Sequence, residues 1–120
     1  MNIGTRACVA YISAATINRR SVSSLYDHSR ARHVIVSGQA AESVNIYDHD
    51  RGCHVFGLGS GGTYDLYDEG LGSYVQLHVS GNNFNGYDFT SGKHFQGSIS
   101  GAVVQLYDYE DSTWFRFTVS

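Results

Sequence analysis

Five Tyr-Asp pairs punctuate this chain: Tyr26-Asp27, Tyr47-Asp48, Tyr67-Asp68, Tyr87-Asp88 and Tyr107-Asp108, at intervals of 21, 20, 20 and 20 residues. A fixed period of this length marks a repeat architecture, in which one supersecondary unit recurs. Each unit holds two apolar segments. One ends in the pair, as in Val44-Asn45-Ile46-Tyr47 and Val104-Gln105-Leu106-Tyr107. The other follows a polar turn, as in His54-Val55-Phe56-Gly57 and Trp114-Phe115-Arg116-Phe117-Thr118-Val119, and its later copies alternate with the period of a strand. Composition agrees: 14 Gly, no Pro, and 9 Tyr with 6 Phe against a single Met favour strands over helices.

Parity decides how the two segments join, because residues paired across an antiparallel ladder share a face. With a four-residue loop at His49-Asp50-Arg51-Gly52, Tyr47 opposes His54, Ile46 opposes Val55 and Asn45 opposes Phe56. The same offset sets Tyr67 against Tyr74, Leu66 against Val75, Tyr107 against Trp114 and Leu106 against Phe115. Size complements size as well: Gly86 meets Phe95, Phe84 meets Gly97, and Val44 meets Gly57. The return turns Ser80-Gly81-Asn82-Asn83 and Ser100-Gly101-Ala102-Val103 suit two-residue hairpins, and one extra residue between Gly38 and Val44 accounts for the 21.

The expected fold is therefore all-β: five tandem two-strand β-hairpin repeats in an antiparallel meander, forming a closed barrel or a curved sheet. A β-solenoid is the alternative. Residues 1–120 read as a single domain, with 1–20 as an N-terminal partial repeat and 21–120 as the five Tyr-Asp repeats. The partial repeat rests on Tyr11-Ile12-Ser13-Ala14, which echoes Val34-Ile35-Val36-Ser37. Ten or eleven strands must either close on themselves or leave two exposed edges.

A net charge of −3 gives no reason to expect nucleic-acid or membrane partners. The charge is unevenly spread: residues 1–51 carry six basic and four acidic side chains, residues 52–120 two basic and seven acidic. Such asymmetry along a repeat array offers head-to-tail association, so a homo-oligomer is one expected partner state. Cys8 and Cys53 are too few for a disulfide framework, and two free thiols in a reducing cytosol are expected, which favours a cytoplasmic location. The segment from Ala7 to Ala15 faintly resembles a signal peptide, with a short apolar run and only Arg6 before it.

Each Asp opens a loop, where its carboxylate is suited to cap the turn rather than to bind a cation. The candidate ligand-binding residues are the tyrosines Tyr26, Tyr47, Tyr67, Tyr87 and Tyr107 with their cross-strand partners His33, His54, Tyr74, His94 and Trp114. Polar Asn45, Asp65, Asn85 and Gln105 share their face. Aromatic rings stack and neighbouring amides hydrogen-bond, the combination that sugar-binding and protein-binding surfaces use. His28, His33, His49, Cys53 and His54 cluster in sequence, but they match no metal-site spacing, and no metal or cofactor is expected. No phosphate loop, nucleophile elbow or zinc-protease motif is present, and five-fold repetition of polar groups suits a surface better than a catalytic constellation.

The recurring Tyr-Asp resembles YD-repeat proteins, whose units of similar length build spiralling β-hairpin shells around toxin cargo. The likeness covers residues 21–120 and rests on two residues per unit; none of the units continues with Gly-Arg-Leu as those families do. The chain is also similar to small bacterial proteins of unassigned function built from tandem units of the form apolar-x-Leu/Ile-Tyr-Asp. The first resemblance implies a hairpin-based β fold, and the second supplies no activity. The expected function is a non-catalytic binding or structural module acting through the Tyr/His/Trp face on an unidentified ligand or protein. A self-assembling scaffold and a glycan-binding, lectin-like module are the alternatives.

Overall fold

A computed structural model describes residues 1–120 as one helix and one antiparallel sheet of eleven strands. Helix α1 (Ile3–Asn18) precedes β1 (Leu25–Asp27), β2 (Arg32–Val34), β3 (Val36–Ala40), β4 (Ser43–Asp48), β5 (Cys53–Ser60) and β6 (Thr63–Asp68). Strands β7 (Ser73–Ser80), β8 (Asn83–Asp88), β9 (Lys93–Ser100), β10 (Val103–Asp108) and β11 (Thr113–Val119) complete the chain. The spatial order is β2-β1-β11-β10-β9-β8-β7-β6-β5-β4-β3. From β3 to β11 each strand pairs with its sequence neighbours, and β1 pairs with β11 to join the two ends of the meander. The result is a sheet nearly closed into a barrel, and its antiparallel ladders exclude the solenoid.

The register follows from parity. Tyr47 faces His54, Tyr67 faces Tyr74, Tyr87 faces His94 and Tyr107 faces Trp114. The later returns leave two residues between Ser60 and Thr63, Ser80 and Asn83, and Ser100 and Val103. The first return leaves three between Ala40 and Val44, which is the source of the longer first interval. One expected strand is divided. The run His33-Val34-Ile35-Val36 breaks at exposed Ile35, where the chain leaves β1 and turns along β4.

Residues 1–20 are not a partial repeat. They form α1, capped at its start by Asn2, whose Oδ1 accepts from the Gly4 and Thr5 amides at 2.8 and 3.2 Å. It ends at Arg19, whose φ of 54° is left-handed. Every residue from Gly4 to Ala15 is buried, on all sides of the helix. Such a helix needs protein on every side, apolar except where Thr5 and Arg6 meet buried carboxylates. It finds this inside the barrel, where it approaches β1, β3, β4, β7, β9, β10 and β11. About eight strands close on side chains alone, and the larger ring here leaves room for a helix. Ala7, Ala10 and Ala14 are wholly buried and keep the helix narrow enough to fit. The four-residue echo that suggested a strand was outweighed by these alanines, by the Asn2 cap and by the missing Tyr-Asp pair.

Around the helix the inner face is packed by Leu25, Ile46, Leu66, Leu77, Leu106 and the rings of Phe84, Phe95 and Phe117, all essentially without exposure. Phe84 lies over Gly97 and Phe95 over Gly86, each ring filling the space that a side chain would take. A Cβ at Gly97 would overlap both the Phe84 ring and the Gln105 carbonyl. Gly97→Ala is therefore expected to cost about 1–3 kcal/mol in urea unfolding, because the backbone carbonyl cannot swing aside. A loss below about 0.5 kcal/mol would show that the fit is loose.

Candidate functional site

Each repeat sends Tyr and Asp in opposite directions. In Ile46-Tyr47-Asp48 and Leu66-Tyr67-Asp68 the apolar residue and the Asp point into the barrel and the Tyr points out, as strand alternation requires. The pair thus contributes to two separate constellations, one on each side of the wall.

Outside, the five tyrosines form a belt. Each is half-buried by edge-on contacts with rings beside it. Tyr47 stands between His49 and His54, at centroid distances of 4.7 and 4.8 Å. Tyr26 stands between His28 and His33 at 4.9 and 5.0 Å, and Tyr107 between Tyr109 and Trp114 at 4.7 and 5.2 Å. Tyr87 meets Phe89 and His94, and Tyr67 meets Tyr74 and, across the next ladder, Phe56. All but the tilted Phe56–Tyr67 pair are edge-to-face, a favourable ring geometry worth about 0.5–1.5 kcal/mol each. The tyrosines hold their partners in fixed orientations, while the partners present their surface to solvent: Trp114 is 58% and Tyr74 55% exposed.

All ten candidate residues therefore lie on this outer face. The structure adds residues that the sequence reading left out. His28, His49, Phe89 and Tyr109, each two positions after a repeat Tyr, clamp the other side of that ring. Their signal was in the sequence, since the Tyr-Asp-aromatic pattern recurs in four of five units. Over β9 a shallow groove of about 510 Å³ opens at His94, lined also by Asn85, Lys93, Gln96 and Tyr109. Asn85 and Gln96 are direct cross-strand partners, so their two amides stand side by side.

Inside, the five aspartates are buried to within 1% of full burial. Each does cap its loop: Oδ1 accepts from the amide two residues on, at 2.9 Å from Ser29, 3.0 Å from Asp50, 2.9 Å from Gly70, 3.2 Å from Thr90 and 3.0 Å from Glu110. The second oxygen reaches further. Arg30 Nε donates to Asp27 at 2.7 Å, and Arg51 Nε to Asp48 at 2.6 Å. Arg51 also spans to Asp68 at 3.0 and 3.1 Å, and Thr5 Oγ1 donates to Asp68 at 2.6 Å. Asp108 faces Arg6 at 3.4 Å and the Met1 ammonium at 3.0 Å. The Asp88 Oδ2 has no partner.

These carboxylates ring the start of α1. Burial pushes Asp27 up, but hydrogen bonds from Ser29 and Arg30 outweigh it and hold the carboxyl below its usual range. Burial would lower Arg51, yet Asp48 and Asp68 more than compensate and raise it. Except at Asp88, the carboxylates of the ring pair with cationic or hydroxyl donors of the protein itself. The Asp-x-x-Arg spacing of Asp27 with Arg30 and Asp48 with Arg51 was its sequence signal. The roles of Thr5 and Arg6 depended on a helix that the repeat pattern did not announce.

The His/Cys cluster is dispersed by the wall. His28, His33, His49 and His54 are outside, while Cys53 is turned inward and Cys8 lies on the helix, both as free thiols. His49 pairs with Ser37 and His28 with Thr118 instead of sharing a centre. No group of three His, Cys, Asp or Glu side chains is arranged to hold a metal ion. No family model, curated protein or solved structure matches the chain.

Proposed function

We propose that this protein is a non-catalytic binding module that engages its ligand on the outer aromatic belt, and that the ligand class is a glycan. The observation that carries this reading is the groove beside His94. There the Tyr109 ring, the cross-strand amides of Asn85 and Gln96, and Lys93 line one groove. A sugar ring offers a C–H face that stacks on an aromatic ring and hydroxyls that pair with amides, so this combination fits both of its surfaces. Rigid mounting supports the same reading, because a partner ring held by its Tyr loses little freedom when a ligand docks. Repetition round the barrel gives several weak contacts, which suits an extended or multivalent glycan.

The scaffold alternative is weakened in one of the two features on which it leaned. Pairing of β1 with β11 brings the basic and acidic ends of the sequence together instead of leaving them at opposite poles, while β2 and β3 remain as sheet edges.

A glycan array tests the proposal. The native protein is expected to retain a small set of glycans, and Tyr109→Ala and Trp114→Ala are each expected to weaken them about five- to twentyfold, the loss of one stacking surface. Both positions are exposed, so each variant should stay folded and lose no more than the about 0.5–1.5 kcal/mol of its ring contact with Tyr107. An array with no retained glycan, or hits indifferent to both substitutions, would remove the reading.

A further inference from the structure

The barrel wall has one gap. β1 begins only at Leu25 and pairs with β2 as far as Val34, while β3 runs on alone to Ala40 with β4 on one side and no strand on the other. The alternation of the ladder shows which groups face the gap. Ile35 accepts from His49 at 2.9 Å and Ser43 from Ala41 at 3.3 Å, so odd-numbered residues bond towards β4. Val36, Gly38 and Ala40 therefore turn their N–H and C=O groups into the opening. The edge Ser37-Gly38-Gln39-Ala40 carries no charge and no proline, the devices that ordinarily protect an open strand.

One side chain half-fills this gap. The Tyr11 hydroxyl lies 3.1 Å from the Gly38 carbonyl and 3.2 Å from the Val22 carbonyl on the opposite bank. A hydroxyl has a single proton, so the two acceptors compete for one donor. Beside it is a cleft of about 880 Å³, with Tyr11, Ala15 and Tyr64 supplying apolar surface and Arg19, Arg20 and the Glu42 of the β3–β4 turn as its charged lining. Both arginines are exposed and neither forms an ion pair, in contrast to Arg6, Arg30, Arg32 and Arg51. The last turn of α1, the 20–22 connector and the β3–β4 turn bound the cleft on three sides.

We propose that this cleft takes the C-terminal end of a partner peptide as an added strand along β3, with its terminal carboxylate held by Arg19 and Arg20. The backbone groups of Val36, Gly38 and Ala40 supply the ladder. The apolar floor takes alternate side chains, and the bounded end with its two free guanidinium groups suits a chain terminus. The free edge of five residues matches a bound segment of roughly 15 Å.

The test uses the full chain and a degenerate heptapeptide library in two forms, free acid and C-terminal amide, read by pull-down and then by fluorescence anisotropy on recovered sequences. Free-acid peptides are expected to be enriched, to bind about ten- to a hundredfold more tightly than their amides, and to be lost from the Arg19→Glu, Arg20→Glu double variant. Amide resonances of Val36, Gly38 and Ala40 should gain exchange protection on binding. The belt variant Trp114→Ala should bind these peptides unchanged, which separates this site from the glycan proposal. Acid and amide forms retained alike, no peptide retained from either library, or binding that survives the charge reversal would each overturn it.

Discussion

Replacing Arg51 with Met is expected to lower unfolding stability by about 3–5 kcal/mol, the cost of leaving buried charge without its partner. Arg51 donates to Asp48 and twice to Asp68, and both carboxylates are wholly buried at the start of α1. Met fills much of the same volume and so isolates the charge from the packing. Removing the guanidinium strands two carboxylates at once in a region that also holds Asp27, Asp88 and Asp108. Asp88→Asn supplies the contrast. Its Oδ2 already lacks a partner while its Oδ1 caps Thr90, a bond that an amide oxygen preserves, so a change within about 1 kcal/mol is expected. Urea denaturation of both variants checks the pair. Equal losses would show that the five aspartates are interchangeable turn caps and that their second oxygens carry no weight.

The second large effect lies on the helix. Ile12→Ala is expected to cost about 2–5 kcal/mol, because Ile12 has no exposed surface and the barrel around it cannot collapse inward. A strand wall tied by ladders on both sides resists the small shifts that let other cores close a cavity. Conservative Ile12→Val removes one methylene and should cost about 0.5–1.5 kcal/mol. A loss near zero for Ile12→Ala would mean that α1 does not pack within the barrel. Melting by calorimetry, with a single transition for helix and sheet signals, gives the same information from a second side.

The hairpins were legible from the sequence because their signals are local and repeated. Tyr47 opposite His54, or Phe84 opposite Gly97, needed only parity and a loop length. The direction of the tyrosines was legible only relative to Leu25, Ile46 and Leu66; that they point away from the barrel axis required knowing what fills it. The helix was not legible from the repeat. Its residues carry no Tyr-Asp pair, and a helix buried all round from Gly4 to Ala15 has no solvent face to reveal. The inner charge ring depended on that helix, since Thr5 and Arg6 reach Asp68 and Asp108 from far earlier in the chain. The break at Ile35 was hidden for another reason: nothing in Val34-Ile35-Val36 interrupts strand propensity, and only closure of the ring forces the chain to change partners there.

Tyr and Asp therefore divide the wall between them. Asp closes each loop and balances charge around the helix, and Tyr fixes a second ring that faces solvent. On the proposed function, belt variants should lose ligand at a stability cost limited to their ring pairs, about 0.5–1.5 kcal/mol each.

The most direct measurement is a two-dimensional NMR titration of the labelled protein with the best glycan from the array. Shifts are expected at the Tyr109, His94 and Trp114 rings and the Asn85 and Gln96 amides, with the buried resonances of Thr5, Ile12 and Asp68 unmoved. Shifts that instead centre on the Asp ring, or on the cleft at Arg19 and Gly38, would contradict a binding surface carried by the outward half of the Tyr-Asp pair.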